Sequence, residues 1–356
     1  MPHGEPVLSM VLETPGPAEA HPLVRREDVP AQPGPGEVRL RVEACGVCRT
    51  DLHVVEGDLP PQANAIVPGH EIVGRVEACG DGAAGLMGKR VGVAWLHRSC
   101  GDCRFCRAFR ENLCLTPVFT GWHVPGGYAE TCTAPSEFVY PLPEDVPARE
   151  LAPLLCAGII GYRAVRRTEV QSGQRLGLYG FGGSAHIAIQ VARHFGCEVY
   201  VFTRGRKHRE LAEALGAVFV GDATERPPRP LDAAVLFAPA GELVPVALEN
   251  LDRGGVLAIA GIHLSPVPVL DYARHLFQER SLKSVTANTR SDGRALLALA
   301  REIPIRTRTQ LYPLADANRA LVDLKQGRVD GAAVLQAPRY ENASPVKQAA
   351  LNRGEA

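Results

Sequence analysis

Four cysteines fall in one short stretch, Cys100-Gly-Asp-Cys103-Arg-Phe-Cys106, with Cys114 following eight residues later. Four thiolates so spaced close a tetrahedral shell around one Zn²⁺. A closed shell has no place for substrate, so this cluster predicts a structural metal. Cys48 and His70 precede it and Cys156 follows. These three form a second set of zinc-type ligands, with a vacancy that metal-assisted chemistry on a small molecule requires.

A third constellation is Gly180-Phe181-Gly182-Gly183-Ser184-Ala185, between the apolar run Leu176–Tyr179 and a helix pattern. Strand, glycine-rich turn and helix are the context of a dinucleotide-binding fingerprint. Gly180 permits the tight turn, and Gly182 lets the backbone approach a pyrophosphate. The N–H groups of Gly183, Ser184 and Ala185 then open the helix beneath it. Ala185 stands where a third glycine is also accepted. After the second strand, Val199–Phe202, the chain reads Thr203-Arg204-Gly205-Arg206-Lys207-His208. An NAD site usually carries a carboxylate here for the ribose 2′-OH. Thr203 replaces it, and Arg204 and Lys207 are candidate partners of a 2′-phosphate. This favours NADP(H), with NAD(H) as the alternative; equally, Arg206 and Lys207 could begin a solvated helix.

The elements that position these residues change character near residue 158. Before it, Val38–Ala44, Val73–Val76 and Val91–Leu96 read as strands between glycine-rich turns, a mainly-β pattern. Beyond it, strands at 176–179, 199–202, 218–220, 233–237, 256–260 and 283–286 alternate with helices at 187–195, 209–215 and 242–251. That alternation predicts an α/β Rossmann domain with a six-stranded doubly wound parallel sheet. Helices at 294–301 and 315–325, with short strands at 311–312 and 332–335, should return to the first domain. The boundaries expected are 1–157, with the cysteine lobe at 97–115, then 158–294, 295–342 and a loose tail at 343–356.

Lys plus Arg and Asp plus Glu each number 39, so net charge is zero and gives no footprint for nucleic acid or an anionic membrane. No long apolar run reads as a membrane span and no signal peptide is visible, which makes a cytoplasmic protein the expectation. In that compartment clustered cysteines read as metal ligands rather than disulfides.

Around these ligands the chain reads Gly46-Val47-Cys48-Arg49-Thr50-Asp51-Leu52-His53, Pro68-Gly69-His70-Glu71 and Leu154-Leu155-Cys156-Ala157-Gly158. With the cysteine lobe and the Rossmann block, this resembles the zinc-containing medium-chain alcohol dehydrogenases over nearly the whole chain. The resemblance implies a mainly-β GroES-like catalytic domain, with substrate in a cleft beside the Rossmann domain. It implies two Zn²⁺ per chain, with Cys48, His70 and Cys156 holding the catalytic one. Thr50 would receive the alcohol proton and His53 would end the relay. Asp51 would fix the His70 tautomer, Glu71 could approach the zinc, and Arg49 would touch the cofactor pyrophosphate. Leu59, Trp95 and Trp122 would line the substrate pocket, with Leu59 in place of a common tryptophan. The activity implied is hydride transfer between a primary or secondary alcohol and a nicotinamide, in a homo-oligomer (dimer or tetramer). Rival readings are an NAD-dependent polyol or glutathione-adduct dehydrogenase of the same fold, and a non-catalytic zinc-stabilised binding or regulatory protein.

Overall fold

The computed structural model describes residues 5–340; the tail expected at 343–356 lies outside them. The chain divides into two compact units. The first comprises residues up to Ala108, Cys114–Leu155 and the chain from Arg308 onward; the second comprises Phe109–Leu113 and Cys156–Thr307.

The first unit is built on a seven-stranded sheet. Its order is Thr309–Pro313, Ala332–Gln336, Glu37–Val47, Glu71–Cys79, Arg90–Val93 and Val139–Pro141, and Thr131–Pro135 pairs with Glu37–Val47 off this path. All pairings are antiparallel except that of the two C-terminal strands. Along Glu37–Val47, Val38, Leu40 and Val42 point into a core with Ile72, Val91 and Tyr128. From Val42 to Val47 every residue is buried, so the strand delivers Cys48 from the interior rather than from a surface loop. Inside the sheet, Arg90 Nη2 lies 2.7 Å from Glu43 Oε2, and Arg90 Nη1 donates to the carbonyls of Pro143 and Val146 at 2.8 and 2.6 Å. Two buried charges thus pair through one carboxylate oxygen, and the arginine also ties down a neighbouring loop.

Two expectations change here. The strand read at Val91–Leu96 is two, Arg90–Val93 and Leu96–Arg98, which belong to different sheets. An unbroken helix, Arg290–Glu302, runs through the boundary placed at residue 295, and the chain re-enters the first unit only at Arg308.

The second unit holds the six-stranded parallel sheet. Across it the strands run Phe219–Gly221, Glu198–Phe202, Arg175–Tyr179, Leu231–Leu236, Leu251–Ile259 and Ser281–Ser284. In chain order this is third, second, first, fourth, fifth, sixth, the doubly wound arrangement. Leu176, Leu178, Val199 and Val201 pack one face against Ala185, Ala188 and Ala192 of the helix Gly183–His194. On the other face Tyr179 stacks on Phe202, ring centroids 4.3 Å apart. Small alanines on that helix let it lie close on the strand that leads into the glycine turn.

Candidate active site

Cys48 ends the buried strand Glu37–Val47 and caps the helix Arg49–Glu56. Its Sγ accepts the Thr50 N–H at 3.3 Å, and its own N–H donates to Asp51 Oδ2 at 2.9 Å. This reciprocal capping box orients the sulfur with the first turn of the helix. Asp51 is buried and its other oxygen, Oδ1, serves His70 Nδ1 at 2.9 Å and the Gly69 N–H at 3.2 Å. Gly69 has φ +98°, and a Cβ there would sit 2.4 Å from Cδ1 of the buried Tyr128 ring. Only glycine makes this turn, which presents His70 at the head of the strand Glu71–Cys79.

With Nδ1 hydrogen-bonded to a carboxylate, His70 turns Nε2 toward Cys48, 3.3 Å from its Sγ. A tetrahedral zinc with ordinary bond lengths sets sulfur and nitrogen about 3.6 Å apart. Cys156 follows the 3-10 turn Ala152–Leu155 and caps the helix Ala157–Arg167. One ligand atom from each of Cys48, His70, Glu71 and Cys156 lies within 4.8 Å of the others. Burial works to lower the His70 pKa, yet Asp51 and the Cys48 sulfur outweigh it and hold it well above the ordinary value. The pocket therefore favours positive charge, and a divalent cation fits both its field and its donor set.

The four lobe cysteines also converge. Cys100 and Cys106, Cys103 and Cys106, and Cys100 and Cys114 place their sulfurs 3.9, 3.6 and 3.5 Å apart, with no disulfide among them. Four thiolates around one zinc lie about 3.8 Å from each other. The donor set fits a closed metal site.

In the second unit, Gly180 has φ +87°, and a Cβ there would meet the Ala238 amide nitrogen at 2.8 Å. Gly182 caps the helix Gly183–His194, so Gly183, Ser184 and the buried Ala185 form its first turn. At the end of the strand Glu198–Phe202, Thr203 is buried and donates its N–H to the Gly221 carbonyl at 2.9 Å. Arg204 and Lys207 are exposed. Arg206 and Lys207 do open a helix, Arg206–Ala214, and Arg206 pairs with Glu210 at 3.5 Å. The sequence reading passed over Arg209. Its Nε donates to the Thr203 carbonyl at 3.2 Å and its Nη2 to Asp222 at 2.8 Å. A carboxylate therefore stands beyond the end of the neighbouring strand, balanced by an arginine.

The residues expected to line a substrate pocket divide. Leu59 and Trp122, with Val54, Ile66 and Leu12, line a cavity of about 30 Å³, room for a water and not a substrate. Trp95 does not line it; its ring meets His70 edge-on, centroids 4.9 Å apart, and stacks on Phe119 at 4.9 Å and Trp122 at 6.0 Å. Phe119 was not read from the sequence because its two-residue strand, Val118–Phe119, carries no periodicity. Arg49 is exposed at the start of its helix, and His53 is half-buried one turn further on.

A Rossmann unit, a mainly-β unit and two zinc-type donor sets together define a metal-dependent dehydrogenase class. Residues 34–144 match the family described as "Alcohol dehydrogenase GroES-like domain", and residues 183–302 match "Zinc-binding dehydrogenase". The "Probable alcohol dehydrogenase AdhA" of Mycobacterium tuberculosis is 56% identical over 327 residues, covering 90% of this chain and 94% of the relative. Among solved structures, a cobalt- and zinc-bound thermostable alcohol dehydrogenase from Pyrobaculum aerophilum superposes with a TM-score of 0.85 at 26% identity, over 93% of this chain and 99% of that one. Acetophenone reductase from Geotrichum candidum, solved with NAD, gives 0.84 at 25% identity over 95% and 98%. The chain belongs to the zinc-containing alcohol dehydrogenases of the medium-chain dehydrogenase/reductase superfamily. Among the described residues no helix is long and apolar enough to cross a membrane.

Proposed function

We infer that this chain is a zinc-dependent alcohol dehydrogenase that oxidises a primary or secondary alcohol, or reduces the matching carbonyl, preferring NADP(H) over NAD(H). The observation that carries this reading is the convergence of Cys48, His70 and Cys156, with the His70 tautomer fixed by Asp51. Those three would hold the catalytic metal, with Glu71 beside it, and the four lobe cysteines would hold a second zinc. Bound there, zinc would supply Lewis acidity toward the alcohol oxygen, and a nicotinamide would supply the hydride acceptor.

The chain's own residues handle position and protons. Asp51 accepts three hydrogen bonds and so fixes Cys48 and His70 with one side chain. The Thr50 hydroxyl would take the alcohol's proton, and His53, on the same helix face at i+3, would pass it outward to water. Trp95, edge-on to His70, forms an apolar wall that excludes water. On the nucleotide side, Gly180, Gly182, Gly183, Ser184 and Ala185 would cradle the pyrophosphate, with Arg49 as a further contact.

The missing carboxylate at Thr203 and the exposed Arg204 support NADP(H). A second reading, NAD(H), draws on Asp222, whose charge would oppose a 2′-phosphate. Initial rates for a panel of alcohols and aldehydes, each with NAD(H) and NADP(H), test both. The expected result is turnover with NADP(H) favoured; an NAD(H) preference overturns the cofactor assignment. Cys156→Ala should lose one of two bound zincs together with activity, and an intact rate overturns the metal assignment. We also infer a homo-oligomer, in keeping with exposed apolar residues such as Phe109 and Val269; a monomer by light scattering overturns that.

A further inference from the structure

Between Cys106 and Cys114 the chain leaves the first unit, and Phe109–Leu113 belongs to the second. Glu111–Leu113 is a 3-10 turn in which Glu111 and Asn112 are both buried. Their partners lie at the start of the helix Arg290–Glu302. Glu111 Oε1 accepts the Arg290 N–H at 2.9 Å, and Arg290 Nε approaches the same oxygen at 3.4 Å. Asn112 Nδ2 donates to the Thr286 carbonyl at 3.0 Å. In the helix's own capping box, Thr289 Oγ1 accepts the Asp292 N–H at 3.1 Å. Arg290 is the first helical residue, and its N–H has no partner inside a helix. Glu111 therefore caps this helix from 179 residues away in sequence. Each side of the contact also holds a non-glycine residue in the left-handed region, Phe109 at φ +55° and Ala287 at φ +46°. Such conformations cost about 1–3 kcal/mol and persist where the surroundings fix them. Phe109 is 87% exposed, so packing does not fix its turn. The ties that remain are Cys106 and Cys114 on the flanks, and Glu111 and Asn112 between them.

We propose that the four-cysteine lobe is a metal-operated clasp on the second unit: with zinc bound it keeps Glu111 and Asn112 docked on residues 286–290, and without zinc it releases them. The proposal rests on the reading of the four cysteines as a closed zinc site. Zinc joins Cys106 and Cys114 through one ion and so closes the chain between them into a short loop. That closure presents Glu111 and Asn112 together, at an entropic cost already met by metal binding. When the closure is lost, the Phe109 turn relaxes, and the Arg290 N–H and the Thr286 carbonyl lose their partners. The loop between the edge strand Ser281–Ser284 and the helix then loosens. Asp292 Oδ2 also accepts Arg163 Nη1 of the helix Ala157–Arg167 at 2.6 Å, a tie that does not pass through the lobe. The loosening is therefore confined to the loop and the first helical turn. Linkage works in both directions: docking that zinc favours must favour zinc in return. Glu111, which is no ligand of that ion, thereby contributes to the lobe's affinity for it.

The test follows amide hydrogen exchange at residues 286–292 in the wild type, Cys103→Ser, Glu111→Ala and Glu111→Gln, each as full-length, zinc-loaded protein. The interior strand Leu231–Leu236 serves as reference. Exchange at Arg290 should be roughly ten- to hundredfold faster in Cys103→Ser and in Glu111→Ala, the worth of a hydrogen bond to a charged group, with the reference unmoved. Glu111→Gln, whose amide oxygen still accepts, should recover most of the protection. In competition with a chelator, Glu111→Ala should release the lobe zinc about tenfold more readily with all four sulfurs intact, the reciprocal effect that a merely structural cap would not produce. Wild-type exchange in Cys103→Ser, or wild-type lobe affinity in Glu111→Ala, overturns the clasp. If Cys103→Ser does not fold, Glu111→Ala carries both readouts. A wild type that binds no zinc at the lobe overturns the metal reading and the clasp together, while exchange in Glu111→Ala still judges the cap.

Discussion

Asp51→Asn changes one atom in a buried side chain and should weaken the metal site without emptying the lobe. Asp51 faces only donors: the Cys48 N–H, the Gly69 N–H and His70 Nδ1–H. Asparagine offers one accepting oxygen and one NH₂ group in their place. If the oxygen stays with Gly69 and His70, the NH₂ faces the Cys48 N–H, and the helix loses its cap at about 1 kcal/mol. A buried donor left unpaired adds about 1–3 kcal/mol. If the amide flips, its NH₂ donates to His70 Nδ1 and moves that ring's hydrogen to Nε2, the atom that must bind metal. Either way the metal affinity should fall about 10- to 100-fold, the usual effect of losing such a supporting partner. The assay is competition with a graded chelator, with metal followed as it leaves. The lobe sulfurs are independent of Asp51 and serve as an internal reference. Biphasic release, with one zinc shifted and one unmoved, is expected. Release curves identical to wild type would refute the role given to Asp51.

Thr203→Asp should shift binding from adenosine 2′,5′-bisphosphate toward ADP by about tenfold or more, the scale of one charge at contact distance near a surface. Asp222→Asn should do the reverse, more weakly because the pair with Arg209 is partly exposed, and unchanged affinity ratios in calorimetry would count against both. Cys103→Ser should cost one zinc per chain and lower the melting temperature while the Cys48 set keeps its metal; full retention of two zincs would contradict the closed lobe. His97 is held down to about 4 by burial, and its Nδ1 is buried without a hydrogen-bond partner. Its folded pKa lies below the unfolded 6.5, so its contribution is complete above pH 6.5 and disappears as pH falls toward 4, in all about 3 kcal/mol. The stability gap between wild type and His97→Gln should narrow by that amount across the window; a gap flat with pH would show that the imidazole is not held neutral.

What could be read without coordinates followed from local pattern. The Rossmann strands showed because short β-branched and apolar runs recur between helices with glycine stops. The helix at 294–301 was seen from its apolar spacing, but its start was missed: Thr289 and Asp292 form a capping box, which begins the helix at Arg290. The hairpin of Val7–Leu12 with Leu23–Asp28 went unread because its second strand buries little beyond Leu23. The candidate donor types were visible in the sequence and the resemblance implied Asp51 beside His70, but its further bonds to the Cys48 and Gly69 N–H groups were not. That Asp51 serves three donors depends on the Gly69 turn, 18 residues away in sequence. The Arg209–Asp222 pair likewise joins a helix to the residue just past the next strand, 13 positions on, a contact that no periodicity announces.

The two donor sets differ in how much chain must be organised before each is complete. The lobe closes within a separation of 14 residues, from Cys100 to Cys114. Cys48 and Cys156 are separated by more than a hundred residues, and four strands of the sheet lie between them in sequence. Loop closure alone favours the shorter span by about 2 kcal/mol, since each doubling of length adds roughly 0.6 kcal/mol. During synthesis, the lobe's thiols are all present before Cys156 has been made. A chain refolded with one equivalent of zinc should therefore fill the lobe first and stay catalytically silent. With two zincs bound in that order, metal supply would be a condition on maturation, a half-loaded protein preceding the working one.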